Sequence, residues 1–518
     1  MPLKRVLIVG GGSAGWITAA YMDAVLNSSR NRAIDITLIE SPDVGRIGVG
    51  EATVPSLRDT MRVIGIDEKA FLAAADGSFK QAIKFVNWLY PVGHAYYHPF
   101  DRRPAGRLDR AGLNWLTSDR SVPFASTVSI QPGLCDEGLA PKTLDNPDYE
   151  SPLSYAYHVD AEKLADTLCQ VAVARGVRHI RDLVTEVEQR RDGSLAAVKT
   201  RNGLRLEADL FVDCTGFAAL LIEKTLGVGF EDYSRWLLCD RAVAMRVPYE
   251  VHFPGHRRPY TLATALSSGW VWDIALAGRR GTGYVYSSRF LDDDAAEAEL
   301  RAHEGTHCMD LPARRLQFRV GRRERAWAHN CVAIGLSSGF IEPLESTGLF
   351  LVELSAATLC EYFPFTGNMS TLAASYNRIL QDRYEEILDF IVLHYCLTRR
   401  TDTAFWREVQ KPERIPQQLR ERLEMWRYKS PSFSDFHDTL QLFSHHTYEY
   451  VMYGMDFLRD RLEQAQGRVP PTRVPSAVEE RLAVARRHLL PHDDWLLRKL
   501  GDAYRVAGSS GENPAHVG

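Results

Sequence analysis

The sequence predicts an α/β fold that begins with a parallel sheet and continues through a strand-rich region into a mostly helical C-terminal part. Residues 6–9 are four consecutive apolar residues, which is typical of a parallel strand buried on both faces. A helical stretch over 16–26 and an apolar strand over 36–39 complete a strand–helix–strand unit. Helical patterns then dominate from residue 350 to about residue 500.

The first turn carries a glycine pattern that binds phosphates. Gly10, Gly12 and Gly15 follow the first strand in G-x-G-x-x-G spacing. This spacing permits a tight turn, lets the backbone approach a pyrophosphate and points the N–H groups of the next helix at it. Glu40 ends the second strand 25 residues later, where an acid binds ribose hydroxyls. We therefore expect a Rossmann-type dinucleotide site, for which these residues leave NAD and FAD both open.

Composition excludes several classes of protein. Of the 518 residues, 45% are hydrophobic and 25% charged, which is typical of a globular protein large enough for two or three cores. A net charge of −4 gives no electrostatic basis for binding nucleic acid or an anionic membrane. No apolar run reaches the roughly 18 residues of a membrane span. The eight cysteines form no C-x-x-C pair, which predicts reduced thiols, a cytoplasmic location and no metal site.

The chain is expected to divide into a large body and a helical cover. Residues 1–350 would form the dinucleotide-binding body, with a second sheet on its substrate side over about 217–330. Residues 351–505 would form a helical region that covers the substrate, and 506–518 a disordered tail.

Residues 77–90 contain two lysines of interest. The stretch is predicted to pass from helix to strand, so that Lys80 and Lys84 would share one helix face. Most lysines are solvated, and spacing alone makes neither a catalytic candidate. Just beyond, His98 and Phe100 flank a proline and would form either a buried aromatic pair or a ligand-stacking pair.

The stretch 331–348 repeats the order of strand, glycine turn and helix. Its helix is predicted to begin at Leu349. The backbone N–H groups of Thr347 and Gly348 would then be unpaired at a helix N-terminus, which is an anion site. No second G-x-G-x-x-G pattern occurs, so electrons are expected from a separate protein.

Six segments together resemble the flavin-dependent tryptophan halogenases over most of the chain. They are GGGSAGW (10–16), RIGVGEATVPS (46–56), GSFKQAIKFVNW (77–88), ADLFVDCTG (208–216), GWVWDI (269–274) and GLSSGFIEPLESTG (335–348). Trp270 and Trp272 alternate along one strand, so both face the same side. They match the W-x-W-x-I-P hallmark of the family, with Ala275 in place of the final proline. We expect this change to alter a strand edge and not the chemistry.

The resemblance implies FAD, delivered as FADH2 by a separate flavin reductase, with chloride and O2 as further reactants. It places chloride against Thr347 and Gly348. It also places Trp270 and Trp272 between flavin and substrate, so that hypochlorous acid crosses an internal passage. The cofactor contacts it implies are Gly10, Gly12, Ser13, Ala14, Gly15, Glu40, Gly50, Glu51, Ala52, Val184, Gly335 and Leu336.

The resemblance also assigns the catalytic residues. Lys80, not Lys84, follows Phe in the G-x-F-K setting of the family lysine, and Glu345 in PLES matches the family carboxylate. Lys80 would hydrogen-bond hypochlorous acid or form a chloramine. Glu345 would stabilise the cationic ring and take up its proton, and the two charges would balance each other when buried. His98 and Phe100 match the pair that sandwiches the indole.

The C-terminal third departs from the pattern of enzymes that act on free tryptophan. The stretch 430–446 is several residues shorter, lacks the adjacent tyrosines that bind the charged groups of the amino acid, and has Phe443 where a tryptophan stacks. A zwitterion without partners is expensive to bury. We therefore expect a tryptophan within a peptide, as in the lanthipeptide halogenases of the microbisporicin type in antibiotic biosynthesis. The family is often dimeric, so a homodimer is also expected.

Three alternatives stay open. A halogenase of free tryptophan or a small indole would share the mechanism. An aromatic hydroxylase of the related monooxygenase fold would need no counterpart of Lys80 or Glu345. A non-catalytic protein that binds flavin or nicotinamide would not explain why a lysine, a carboxylate and an aromatic pair all match a catalytic pattern.

Overall fold

The computed structural model describes residues 3–28, 32–45, 50–101, 103, 109–249, 257–366, 369–436, 441–457 and 470–501. The predicted tail over 506–518 and residues 46–49 of the second family segment lie outside these ranges. Within them, no helix is long and apolar enough to cross a membrane. All eight cysteines are described, and each is a free thiol.

The strands are β1 Arg5–Val9, β2 Asp35–Glu40, β3 Gly50–Ala52, β4 Ser78–Lys80, β5 Ala82–Val86, β6 Ala95–Pro99, β7 Ala156–Asp160, β8 Arg178–Arg181, β9 Val184–Gln189, β10 Leu195–Thr200, β11 Arg205–Glu207, β12 Leu210–Asp213, β13 Phe230–Asp232, β14 Arg241–Pro248, β15 Thr261–Ala265, β16 Gly269–Ala275, β17 Arg279–Tyr286, β18 Ala313–Gln317, β19 Gly321–Arg323, β20 Trp327–Ala328, β21 Cys331–Ala333 and β22 Gly339–Phe340. The α-helices are α1 Ser13–Leu26, α2 Leu57–Ile64, α3 Glu68–Ala74, α4 Ala111–Leu116, α5 Phe124–Val128, α6 Gln131–Asp136, α7 Ala161–Ala174, α8 Asp293–Glu304, α9 Thr347–Glu361, α10 Met369–Cys396, α11 Ala404–Glu408, α12 Gln417–Trp426, α13 His445–Gly454, α14 Ser476–His488 and α15 His492–Leu500.

The predicted α/β fold is confirmed, and its first sheet has the order β20-β21-β12-β1-β2-β8. Strand β1 pairs in parallel with both β2 and β12, and its residues 6–9 are buried. Because carboxyl ends of parallel strands meet at one edge of a sheet, Gly10 after β1 and Glu40 at the end of β2 are brought together there. This edge is where the glycine pattern predicts the dinucleotide.

The second large sheet has the order β18-β14-β17-β16-β15-β5-β6. One face packs with α8, through residues such as Val271 of β16. Trp270 and Trp272 lie on the opposite face and join the main core, as their alternation predicts. The wall of two tryptophans therefore faces the parallel sheet and the helices of the C-terminal part.

The prediction that residues 77–90 begin as a helix is wrong. They form β4 and β5 instead, which pair with β7 and with β15 and β6, in two different sheets. Pairing with distant strands overrides the local helical spacing of the lysines. Lys80 is fully buried, whereas Lys84 Nζ contacts Asp136 Oδ1 at 3.0 Å near the surface. The two lysines thus have separate environments.

The last described helix, α15, supports the strand that carries Lys80. The N–H group of Phe79 in β4 donates to His492 Nε2 at 3.1 Å. Since Nε2 accepts, His492 Nδ1 carries the proton and donates to the carbonyl of Arg257 at 3.0 Å. The ring of Trp495 packs edge-on against Phe79, with centroids 4.7 Å apart. Strand β4 is therefore held from behind by both a hydrogen bond and an aromatic contact.

Candidate active site

The turn after β1 forms an open cradle for a diphosphate. Gly10 has φ +114°, and a Cβ there would lie 2.1 Å from the carbonyl oxygen of Cys214. A Cβ on Gly15 would lie 1.9 Å from the carbonyl oxygen of Gly10. Gly12 is the N-cap of α1, and a Cβ on it would meet no described atom within 4 Å. The space beside the N-terminus of α1 is therefore open at Gly12, which fits a phosphate group.

Glu40 lies at the edge of this cradle, as predicted. Its Oε1 contacts His179 Nε2 at 2.8 Å, and the His179 ring packs edge-on against Trp16. A Cβ on Gly11 would lie 2.0 Å from Glu40 Oε2. Gly11, which the spacing pattern does not single out, is thus the glycine that lets the acid reach the cradle. An acid held at this position fits the ribose of a dinucleotide.

We predict that alanine at Gly11 and at Gly12 will have different effects. Gly11→Ala should displace Glu40, lowering both the melting temperature and the affinity for FAD, the latter by about tenfold or more. Gly12→Ala should leave the melting temperature of the flavin-free protein unchanged, because its Cβ enters open space, yet should lower FAD affinity similarly. Flavin fluorescence titration and thermal melts check this, and equal affinity in all three proteins would contradict it.

The remaining predicted cofactor residues lie in three places. Ser13 Oγ donates to the carbonyl of Ala161 at 3.1 Å. Gly335 has φ +75°, and a Cβ on it would lie 2.7 Å from Ala14 Cβ, so the second glycine turn packs on the start of α1. Leu336 follows in a 3₁₀ turn, Val184 begins β9, and Gly50, Glu51 and Ala52 form β3. Burial raises the pKa of Glu51 to about 7.

Lys80 lies at the end of β4 with no exposed surface. Its Nζ donates to Ser346 Oγ at 2.7 Å and to the carbonyl of Thr53 at 3.0 Å, and lies 4.9 Å from the centre of the Phe100 ring. Burial lowers the pKa of Lys80 to about 7, although the charge of Glu345 acts in the opposite direction. The ammonium is thus poised near neutrality, which is typical of a functional lysine.

Glu345 lies against two imidazole rings, and its charge also acts on Lys80. Both of its oxygens lie within 3.0 Å of His98 Nδ1, and Oε1 lies 2.9 Å from Nε2 of His394 in α10. Burial opposes ionisation, but the two histidines outweigh it and lower the pKa of Glu345 to about 2. The carboxylate is therefore an anion at neutral pH, within electrostatic range of the lysine.

The predicted aromatic residues form a chain of rings. His98 and Phe100 lie 6.5 Å apart at an interplanar angle of 73°, so they are nearly perpendicular rather than parallel. Phe443 stacks on Phe390 of α10 at 3.9 Å, and Phe390 lies 5.9 Å from His98. Tyr450 of α13 lies 6.0 Å from His98 on another side. The structure therefore brings all three predicted residues to one apolar region beside Glu345.

The predicted anion site lies at the start of α9. This helix begins at Thr347, two residues before the predicted start, because Ser346 in the left-handed region (φ +62°) serves as its N-cap. Thr347 Oγ1 is buried and has no hydrogen-bond partner among the described residues. A Cβ on Gly348 would meet none of the described atoms within 4 Å. An unpartnered hydroxyl and an open helix N-terminus together fit a small anion.

Trp270 and Trp272 form the predicted wall, with ring centroids 6.4 Å apart. The Trp270 indole N–H donates to Glu342 Oε2 at 2.9 Å. A cavity of about 240 Å³ lies beside Trp272 and is bordered by Gly50. Ala275 pairs regularly with Arg280 of β17, so the altered motif position does not interrupt the strand.

Sequence reasoning missed Thr53, Ser346, His394 and Glu342. Ser346 stands between two predicted residues, Glu345 and Thr347, so its position was the available signal. Thr53 and Glu342 lie within two of the matching segments, 46–56 and 335–348, so their positions were also available, whereas His394 has no local signal.

A phosphate cradle on a parallel sheet, a tryptophan-lined second sheet and a buried lysine beside a helix N-terminus are together typical of an α/β enzyme that binds a dinucleotide. The tryptophan halogenase family model matches residues 5–471. The chain is 37% identical to tryptophan 6-halogenase SttH of Streptomyces toxytricini, over 82% of this chain and 84% of that protein.

Two solved structures extend the comparison. Tar14, a tryptophan C-6 flavin-dependent chlorinase from taromycin biosynthesis, is 35% identical with a TM-score of 0.87, over 96% of this chain and 99% of that one. MibH, a lanthipeptide tryptophan 5-halogenase, is 29% identical with a TM-score of 0.77, over 98% and 97%. The chain belongs to the tryptophan halogenase family, and is a flavin-dependent tryptophan halogenase.

Proposed function

We propose that this enzyme chlorinates the indole ring of a tryptophan, using FADH2 from a separate reductase, O2 and chloride. The observation that carries the proposal is Lys80, a fully buried ammonium beside Phe100, Glu345 and the N-terminus of α9. A buried charge adds little stability to a fold, so its place in an aromatic region favours a chemical role. A homodimer and a cytoplasmic location stay predictions, as do the domain boundaries at residues 350 and 505.

The residues of this chain form two sites, one for the flavin with chloride and one for the indole. When bound, reduced flavin and O2 supply the oxidising equivalent that converts chloride to hypochlorous acid. The glycine cradle and Glu40 would hold the diphosphate and ribose, and Thr347 with Gly348 would hold chloride. Trp270 and Trp272 would keep the indole away from the flavin side.

Lys80 and Glu345 would complete the transfer of chlorine. Lys80 Nζ donates a hydrogen bond to the oxygen of hypochlorous acid, which makes chlorine more electrophilic. The C–Cl bond forms as the O–Cl bond breaks, and the departing oxygen leaves as water with a proton from Lys80. Glu345 stabilises the cationic ring and takes its proton. Indole C–H and hypochlorous acid thus give C–Cl and water. A low pKa does not hinder Glu345, because a proton on a cationic ring is far more acidic than a carboxylic acid.

We propose a tryptophan within a peptide as the substrate. Glu449 of α13 contacts Arg103 in an ion pair, and the ring of Tyr450 between them and His98 continues the aromatic region. The charge of Glu449 is therefore already balanced, and it does not present an uncompensated carboxylate to the ammonium of free tryptophan. A tryptophan flanked by neutral amides needs no such partner. The second candidate is free tryptophan or a small indole, which the name of SttH favours.

A direct competition tests both parts. The enzyme would receive FAD, a flavin reductase, NADH, chloride and either L-tryptophan, N-acetyltryptophan amide or a tryptophan peptide, and mass spectrometry would follow the chlorine isotope pattern. We expect kcat/KM to be higher by about tenfold or more for the two blocked substrates, since an unpaired charged group costs at least ~1.4 kcal/mol. Equal or faster reaction of L-tryptophan would overturn the peptide substrate alone. Hydroxylated product without chlorine would overturn the halogenase itself.

A further inference from the structure

Glu342 is a buried carboxyl group that the chemistry above does not use. It lies three residues before Glu345 and has no exposed surface. Its Oε2 accepts hydrogen bonds from the Trp270 indole N–H at 2.9 Å and from the Tyr395 hydroxyl at 2.7 Å. Its Oε1 accepts no well-formed hydrogen bond from the described residues, although the Cys239 thiol lies beside the carboxyl group. A carboxyl group in this place is expensive unless its contacts are required.

The contacts of Glu342 run parallel to those of Glu345. Tyr395 directly follows His394 at the end of α10, and His394 contacts Glu345. The loop between β22 and α9 thus contacts Tyr395 through Glu342 and His394 through Glu345. Glu342 also contacts Trp270 of the wall, and Glu345 also contacts His98 beside the indole region. This loop therefore connects the tryptophan wall to Glu345, the proposed proton acceptor.

The wall depends on the orientation of Trp270. The orientation of an indole ring is set by two side-chain torsions. Because the two faces of the flat ring are alike, packing alone distinguishes poorly between the two flipped orientations. A hydrogen bond from Nε1 to a fixed acceptor selects one orientation. Burial raises the pKa of Glu342 to about 7, and Oε2 can accept both hydrogen bonds whether or not the group carries a proton on Oε1.

We propose that Glu342 is a positioning residue that fixes Trp270 in the wall and, through Tyr395, keeps His394 against Glu345. Its effect is to direct hypochlorous acid formed on the flavin side to the indole instead of to solvent. This inference rests on the proposed function. It assigns to Glu342 no contact with substrate, flavin or chlorine.

The test measures coupling, which is the amount of chlorinated indole formed per FADH2 oxidised, together with free hypochlorous acid captured by a thiol trap. Glu342→Leu should lower coupling about tenfold and raise the trapped oxidant, with an unchanged KM for the indole, because two oriented hydrogen bonds are lost. Glu342→Gln should recover most of the coupling, since the amide oxygen accepts the same two hydrogen bonds. A merely structural role would lower the melting temperature and kcat without raising the trapped oxidant.

Two further variants keep the test decisive if Glu342→Leu does not fold. Tyr395→Phe removes one donor and retains the ring, whereas Trp270→Phe removes the other donor together with part of the indole ring. Each should lower coupling in the same direction. Tyr395→Phe added to Glu342→Leu should have no further effect on coupling, because both changes remove the same hydrogen bond between these two residues. Unchanged coupling in these variants, with normal chlorination by the wild-type enzyme, would overturn the inference. Absence of chlorinated indole from the wild-type enzyme would instead overturn the proposed function.

Discussion

Replacing Lys80 with methionine should abolish chlorination while leaving flavin oxidation and the fold intact. Nζ is the donor that faces Ser346 and the aromatic region, and methionine fills a similar volume without a proton to donate. We expect the rate of chlorination to fall by about 10³-fold, within the range of a positioned proton donor. Chlorinated product and FADH2 oxidation, measured in the same reaction, check this result.

Stability and pH separate a chemical role of Lys80 from a structural one. Methionine removes a desolvated ammonium, so the melting temperature of the variant should equal or exceed that of the wild type. Because the pKa of Lys80 lies near 7 and the protonated form is the donor, wild-type activity should decline as pH rises through neutrality. Lys84→Met is the matched control and should be active, since Lys84 contacts Asp136 near the surface. If the Lys80→Met variant chlorinates at about one tenth of the wild-type rate or faster, Lys80 is not the proton donor.

Replacing Glu345 with glutamine should slow turnover by about 10²-fold, because the amide cannot take the ring proton or balance the cationic ring. Glutamine has the same shape, so FAD affinity should be retained. Removal of the ring proton from the chlorinated cationic indole should then become rate-limiting. An indole deuterated at the reacting carbon should therefore react more slowly than the protiated indole. Single-turnover kinetics with both isotopic forms measure this effect.

A second buried acid provides the control for Glu345. Glu353 of α9 has a pKa raised by burial to about 8 and accepts a hydrogen bond from Thr60. Since this acid is mainly neutral, Glu353→Gln should resemble the wild type in rate and show no isotope effect. A Glu345→Gln enzyme with wild-type turnover and no isotope effect would remove Glu345 from the proton transfer.

The cradle could be predicted from the sequence because its pattern is local. The geometry of the site follows from an apolar strand of four residues, three spaced glycines and the acid at the end of the next strand. Parallel strands end at a common edge of the sheet, so these residues must meet there. The strands β4 and β5 could not be predicted in this way. Lys80 and Lys84 have helical spacing, and the decision between helix and strand is made by pairing with β7 and β15, which lie far along the chain.

The identity of the buried lysine followed from resemblance, whereas its partners followed only from the structure. His394 reaches Glu345 because a 28-residue helix, α10, ends beside the loop that carries the acid. Nothing near His394 in the sequence distinguishes it from an ordinary buried histidine. Thr53 lies within a matching segment, but its backbone carbonyl, not its side chain, accepts from Lys80. Such contacts depend on tertiary packing, which single-sequence patterns do not encode.

The brace between α15 and β4 has a practical consequence for using this enzyme as a catalyst. Because His492 and Trp495 contact Phe79, α15 supports the strand that carries Lys80. Immobilising the protein on a resin through residues close to Leu500 should therefore disturb Lys80 more than immobilisation through an exposed residue remote from α15, such as Val92.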